Sequence, residues 1–165
     1  FRQMTVGILS DTHGFLDKRV FSHFEKCDEI WHAGDIGSPE VLTALMNFKP
    51  TRAVFGNIDG REIRSQIPEF AVFMADGMKV LMTHIAGKFG TYNREVKSKI
   101  LDYQPGILVC GHSHILKIAF DRQNKLLYLN PGAAGKQGFH KTQTLVRIRI
   151  EQGSIQGAEV IELAN

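Results

Sequence analysis

A chain of 165 residues with 43% hydrophobic and 22% charged residues has the make-up of a single globular domain with a sizeable core. A formal net charge of +3 and a pI near 8.9 allow an anionic ligand, but do not indicate a nucleic-acid binder, and no apolar run reaches membrane-spanning length. Cys27 and Cys110 sit in or beside apolar runs and read as buried free thiols, Phe1-Arg2-Gln3-Met4 lacks the pattern of a signal peptide, and a cytoplasmic setting is expected, with Met4 as the natural start.

No repeat, linker or low-complexity tract interrupts the sequence, so one domain is expected over residues 1–165. Residues 5–9 form the first apolar strand candidate and end at Ser10-Asp11-Thr12-His13-Gly14. Leu16, Val20, Phe21 and Phe24 recur at helical spacing. Residues 29–33 are a second strand, ending at Gly34-Asp35. Ser38-Pro39 then reads as a helix start, a capping hydroxyl followed by proline, with Val41, Leu42, Leu45 and Met46 as the apolar face. Residues 51–55 are a third strand, ending at Gly56-Asn57-Ile58-Asp59.

Residues 70–74 and 78–83 read as a hairpin turning at Asp76-Gly77, and the second strand ends at His84. A helix follows over residues 91–103, stopped by Gln104-Pro105-Gly106. Ile107-Leu108-Val109 is a short buried strand leading into Cys110-Gly111-His112-Ser113-His114, where Gly111 allows a sharp turn and an extended backbone would send both imidazoles to one side. Residues 115–120 with 125–129, and 144–150 with 154–161, are two further hairpins separated by the Asn130-Pro131-Gly132 loop. Alternating strands and helices in the first half imply parallel pairing; the strand-rich second half implies antiparallel pairing. An α/β sandwich of two mixed sheets with helices outside satisfies both halves.

Five strand ends carry metal-type side chains: Asp11 with His13, Asp35, Asn57, His84, and His112 with His114. Ligands gather beyond the carboxyl ends of strands in open α/β folds. Four imidazoles, two carboxylates and an amide suit Mn²⁺, Fe or Zn²⁺ better than Ca²⁺. The number exceeds a four-coordinate structural zinc site and matches two ions sharing a carboxylate. Each residue also has a plainer reading: Asp11 and Asp35 as helix caps, Asn57 as a turn residue with positive φ, His84 as a satisfied half-buried histidine.

In this order, Asp11-x-His13, Gly34-Asp35, Gly56-Asn57, His84 and Gly111-His112-x-His114 resemble the calcineurin-like metallophosphoesterases. Asp11-Thr12-His13-Gly14, His32-Ala33-Gly34-Asp35, Gly56-Asn57-x-Asp59 and Asn130-Pro131-Gly132 are similar to its compact bacterial and archaeal phosphodiesterase branch, and the resemblance runs from about residue 6 to residue 132. It implies a four-layer αββα sandwich and a dinuclear site, with Asp11, His13 and His114 on the first ion, Asp35 bridging, and Asn57, His84 and His112 on the second. Catalytic work falls to Asp35, Asn57 and His84, and substrate contact to Asn57. The implied reaction is phosphodiester hydrolysis by in-line attack of a bridging hydroxide on a small phosphorylated substrate, with Mn²⁺ as first choice and Ni²⁺, Zn²⁺, Fe or Mg²⁺ as alternatives.

Many larger family members have histidine after the metal-binding asparagine, where it can protonate the leaving group; here that residue is Ile58. His32 and Asp59 are expected to support the site through hydrogen bonds, with packing and loop capping as their plainer readings, and His140 reads as a loop residue. The alternatives are a phosphomonoesterase, for which Lys88, Arg94 and Lys136 are available cations, and a scaffold such as the retromer subunit of the same superfamily. The strands over residues 144–161 offer an apolar edge for pairing with a second copy.

Overall fold

The computed structural model describes residues 3–164, so residues 1 and 2, part of the segment ahead of the expected Met4 start, lie outside the described residues. Side chains along the first strand, β1 (Met4–Leu9), alternate between two cores. Val6 and Ile8 enter an apolar layer between two sheets, whereas Leu9 enters a second layer on the other face. On that second face Gly7 lets the ring of Phe24 lie against the strand; a Cβ at this position would meet the ring at 2.6 Å. Phe24 ends the short helix α1 (Arg19–His23).

Chain alternation then builds the first sheet: β2 (Glu29–His32), α2 (Pro39–Phe48), β3 (Thr51–Ala53) and α3 (Arg61–Arg64). Strands β1, β2 and β3 pair in parallel, as the alternation predicts. The second sheet holds β4 (Phe70–Ala75), β5 (Met78–Thr83), β6 (Ile107–Val109), β7 (Lys117–Asp121) and β8 (Leu126–Asn130), with α4 (Arg94–Tyr103) crossing from β5 to β6. Finally β9 (Gln143–Glu151) and β10 (Ser154–Leu163) return to the first sheet. The strand orders are β10-β9-β1-β2-β3 and β4-β5-β6-β8-β7.

Three apolar layers separate the resulting four layers. Val20, Phe24, Leu42, Leu45 and Ile63 pack helices on the first sheet. Trp31, Val80, Met82, Ile107, Val109 and Ile148 fill the space between the sheets. Leu81, Leu108 and Cys110, the alternate residues of β5 and the β6 end, meet Val96 and Ile100 of α4. Both sheets are mixed, which is the expected αββα class. No helix of the described residues is long and apolar enough to cross a membrane.

Several local expectations differ. The second half is not purely antiparallel: β5, β6 and β8 run parallel, because α4 carries the chain back before β6 and β7 occupies the sheet edge. The first helix starts at Arg19 rather than near Leu16, since Asp17 Oδ1 accepts from the Arg19 N–H and holds the chain in a turn. Ser38 precedes α2 in extended conformation without a side-chain cap bond, and Met46 is exposed. The last long helix begins at Arg94, capped by Asn93 Oδ1 accepting from the Val96 N–H at 3.0 Å.

Candidate metal centre

Asp11 and His13 follow β1, Asp35 follows β2, Asn57 follows β3, His84 follows β5, and His112 and His114 follow β6. The two sheets bring these loops together at one end of the sandwich. Asp11, His13 and His114 offer donor atoms within 4.8 Å of one another, and so do Asp35, His84 and His112. Each trio draws on both sheets. Asn57 joins the second through its Oδ1, 3.1 Å from His112 Nδ1.

Five of these residues, Asp11, His13, Asp35, His112 and His114, have left-handed backbone, with φ of 54°, 48°, 56°, 73° and 62°. An L-residue pays about 1 kcal/mol or more for that conformation. The turn after β6 therefore comes from the histidines themselves, not from Gly111, which is required for space: its Cβ would stand 2.1 Å from Ser10 Oγ. The segment is not extended either, and His112 and His114 part to different trios. Asn57 has no positive φ, and Asp11 and Asp35 cap no helix, the residues at those positions being Lys18 and Ser38.

Hydrogen bonds fix one oxygen of each carboxylate and leave the other facing inward. Asp11 Oδ2 accepts from the Ser10 hydroxyl at 2.7 Å and the His112 N–H at 3.1 Å. Its Oδ1 has no hydrogen-bond partner although it is buried, and it stands 3.2 Å from His114 Nε2 and 3.7 Å from both His13 Nε2 and His84 Nε2. Asp35 Oδ1 accepts from the Ile58 N–H at 3.0 Å, while Oδ2 lies 3.0 Å from His84 Nε2 and 3.5 Å from His13 Nε2.

His84 supplies the decisive geometry. Its Nδ1–H donates to the Ala33 carbonyl at 2.8 Å, which leaves a lone pair on Nε2. That lone pair points among carboxylate oxygens without forming a directed hydrogen bond, as does His13 Nε2. Acceptors so close together, buried, need a proton or a cation between them. Burial opposes charge on His84, but Asp35 and Asp11 outweigh it and hold its pKa above the ordinary value, a shift that favours the imidazolium when no ion is bound. Burial also opposes the Asp35 charge, which His84 and the Ile58 N–H restore, lowering that pKa. His114 is shifted down by burial, reinforced by His140 and His13 against Asp11, which leaves it ready to donate a lone pair. The donor set thus fits divalent cations.

His32 and Asp59 hold the loops that carry these groups. Gly34 N–H donates to His32 Nδ1, whose Nε2–H donates to Thr12 Oγ1, which in turn donates to the Ile36 carbonyl. Asp59 accepts from the N–H groups of Ile36, Gly37 and Gly56. The loops around Asp35 and Asn57 are therefore tied reciprocally. Gly56 is pressed against Asp35, and a Cβ there would meet its Oδ1 at 2.1 Å. Asn130 does similar work opposite, donating to the Gly111 carbonyl and Ser113 Oγ.

Two residues contribute more than their sequence context signals. His140, read as a loop residue, sets its ring edge-on to His114 at a centroid distance of 5.2 Å, and its Nε2–H donates to the Gly135 carbonyl. Arg64 reaches the rim from α3, a helix too short for a periodic signal, and donates to the carbonyls of Asp59, Gly56 and Asn57. Ser10 and Thr12 were visible only as hydroxyls interleaved with Asp11 and His13.

The calcineurin-like phosphoesterase superfamily domain matches residues 4–153, a span that takes in all these side chains and ends just before β10. The chain belongs to the calcineurin-like phosphoesterase superfamily. A probable metallophosphoesterase from Methanocaldococcus jannaschii is 31% identical over 137 residues, 79% of this chain and 68% of the relative. Among solved structures, an archaeal phosphodiesterase has the same fold with a TM-score of 0.76 at 24% identity, over 97% of this chain and 100% of the other. So does Vps29 from Entamoeba histolytica, solved with Zn²⁺, with a TM-score of 0.72 at 17% identity, over 96% and 99%. Membership in the calcineurin-like phosphoesterases implies phosphoric ester hydrolysis with divalent metal ions.

Proposed function

We propose that this calcineurin-like phosphoesterase hydrolyses phosphodiesters at a site for two divalent ions. Asp11, His13 and His114 would hold one ion, Asn57, His84 and His112 the other, with Asp35 shared. The observation that carries this reading is Asp35 Oδ2, which faces His13 of one trio and His84 of the other at 3.5 and 3.0 Å. When bound, the ions supply positive charge for the phosphoryl oxygens and acidify water near neutral pH. Manganese is the first choice for this mixture of imidazole and carboxylate donors, ahead of nickel, zinc, iron and magnesium.

The chain's own groups orient and restrain. Ile58 N–H and Ser10 Oγ–H pin the outer carboxylate oxygens, so Asp35 and Asp11 keep their inner oxygens aimed at the centre. The Ala33 carbonyl fixes the tautomer of His84. Asn57 and His112 lie at the exposed rim, where a phosphoryl oxygen arrives. Ile58 presents an apolar side chain, 47% exposed, at the position next to Asn57, and offers no proton to a departing alkoxide. Good leaving groups are therefore favoured.

The test is hydrolysis of bis-p-nitrophenyl phosphate and p-nitrophenyl phosphate by metal-stripped protein reloaded with Mn²⁺, Ni²⁺, Zn²⁺ or Mg²⁺, with Asp35→Asn as control. Metal-dependent diester cleavage, lost by at least about 10²-fold in the control, is expected. A basic cavity lined by Lys136, His140, Lys141 and Gln143, whose His140 ring stands edge-on to His114, favours a dianionic monoester as the second reading. Monoester cleavage alone would select it. Absence of turnover with every ion would leave the fold as a metal-binding scaffold.

A further inference from the structure

A cavity of about 180 Å³ opens beside the candidate centre, with Asn57 and His84 among its lining residues. Its remaining walls include Phe55, Arg64, Glu69, Thr83 and Ile85. The volume falls below the range of about 300–1,000 Å³ that encloses a whole drug-sized ligand. One arm of a substrate fits it.

The walls define what kind of arm. The Arg64 guanidinium lies 4.5 Å over the Phe55 ring. Its Nε and one Nη serve backbone carbonyls, and among the described residues nothing takes the other Nη. Glu69 is exposed on the same cavity, and no ion pair joins it to Arg64. An unpaired carboxylate and a half-used guanidinium thus line one small open cavity, beside the apolar surfaces of Phe55 and the partly exposed Ile85. Hydroxyl groups satisfy both at once: they donate to the carboxylate and accept from the guanidinium. Their carbon skeleton covers the Phe55 and Ile85 surfaces. A second phosphate would meet the Glu69 charge, and an aryl arm would displace water from Glu69 and Arg64 without replacing its hydrogen bonds.

We infer that this cavity binds a neutral polyhydroxy alcohol arm, of glycerol to pentose size, of a phosphodiester whose phosphate sits against Asn57 and His84. Glu69 and Arg64 are its specificity-determining residues. The inference rests on the phosphodiesterase reading for the position of the phosphate.

The experiment compares glycerophosphoglycerol, which has two glycerol arms, with dimethyl phosphate, which has none. Both are measured as competitors of bis-p-nitrophenyl phosphate hydrolysis by the Mn²⁺-loaded protein, and by calorimetric titration of the protein without turnover. The glycerol diester should bind at least about tenfold more tightly, in line with the cost of leaving hydrogen-bonding groups unpaired. Glu69→Gln should reduce that preference to less than about threefold, as should Arg64→Lys, which keeps the charge but loses the forked donors. Because Glu69 is exposed, its variant is expected to fold, and its unfolding midpoint checks this. Equal affinity for the two diesters, or a preference unchanged in folded Glu69→Gln, would overturn the inference. A calorimetric preference that persists while no ion supports diester turnover would keep the alcohol subsite and remove the phosphodiesterase reading instead.

Discussion

At the scale of single residues, the site depends on where protons and lone pairs are held. His84 and His32 are both buried, yet they answer pH in opposite senses. His84 has a raised pKa, so in the metal-free protein its contribution to stability is present at low pH and is lost as pH rises through the folded value. His32 is kept neutral by burial, its pKa pushed down to about 3 from an ordinary 6.5. Between those values the unfolded chain binds the proton and the folded chain does not, so stability falls as pH drops from about 6.5 toward 3. His32→Asn is expected to flatten this acid limb while lowering stability at pH 7 by about 1–3 kcal/mol through the orphaned Thr12 and Gly34 partners. Urea midpoints at pH 4 and pH 7 measure both effects. Ile58 concerns reactivity. Ile58→His places an acid beside Asn57, and turnover of alkyl diesters should rise at least tenfold relative to aryl diesters, a small part of the about 10²–10⁴-fold that aligned general acids supply. A leaving-group series before and after the exchange checks it; parallel slopes would show that the added imidazole does not reach the departing oxygen.

At the scale of elements, close approach matters more than propensity. The helix α1 has five residues and no capping side chain, so its own hydrogen bonds contribute little, and it is held by Val20 and by Phe24 at its end against β1. Gly7→Ala forces the Phe24 ring away and should destabilise the fold by about 1–3 kcal/mol, read as a lower urea midpoint with an unchanged slope. This also explains what the sequence conveyed. Short apolar strands such as Ile107-Leu108-Val109 were legible because both faces are buried and every position is apolar. The Asp76-Gly77 turn was legible because its residues must take positive φ, and they do, at 43° and 84°. Leu16 misled because its spacing matches a helix while Asp17 bonds the backbone locally. The four-residue α3 left no periodic trace, and with it Arg64 escaped notice. The seven strand-end residues were readable as a set because each follows a buried run; their division into two groups came only with the family resemblance, since spacing alone does not show the left-handed turns at His112 and His114 that send the two rings apart.

At the scale of the whole molecule, the pairing of strands across the sequence explains the remaining gap between sequence and fold. Spacing shows that β7 and β8 form a hairpin, but not that β8 slots in beside β6 and leaves β7 at the edge. The two sheets meet through an apolar layer, and at the strand ends each trio spans both of them. Ions held by these trios would act as staples between the sheets. Chelation is expected to lower the thermal midpoint of the entire molecule in one transition, with about 2.7 kcal/mol of stabilisation recovered at an ion concentration 100 times its dissociation constant. Calorimetric scans with and without Mn²⁺ measure it; an unchanged midpoint would mean that no ion bridges the sheets. The left-handed backbone at five candidate ligands has a longer reach. Exchanging any of them for glycine relieves strain and removes a donor together. Selection for folding alone thus pulls this chain away from its chemistry. In a lineage freed from hydrolysis, loss of such donors would relieve backbone strain, so decay of the set would run downhill.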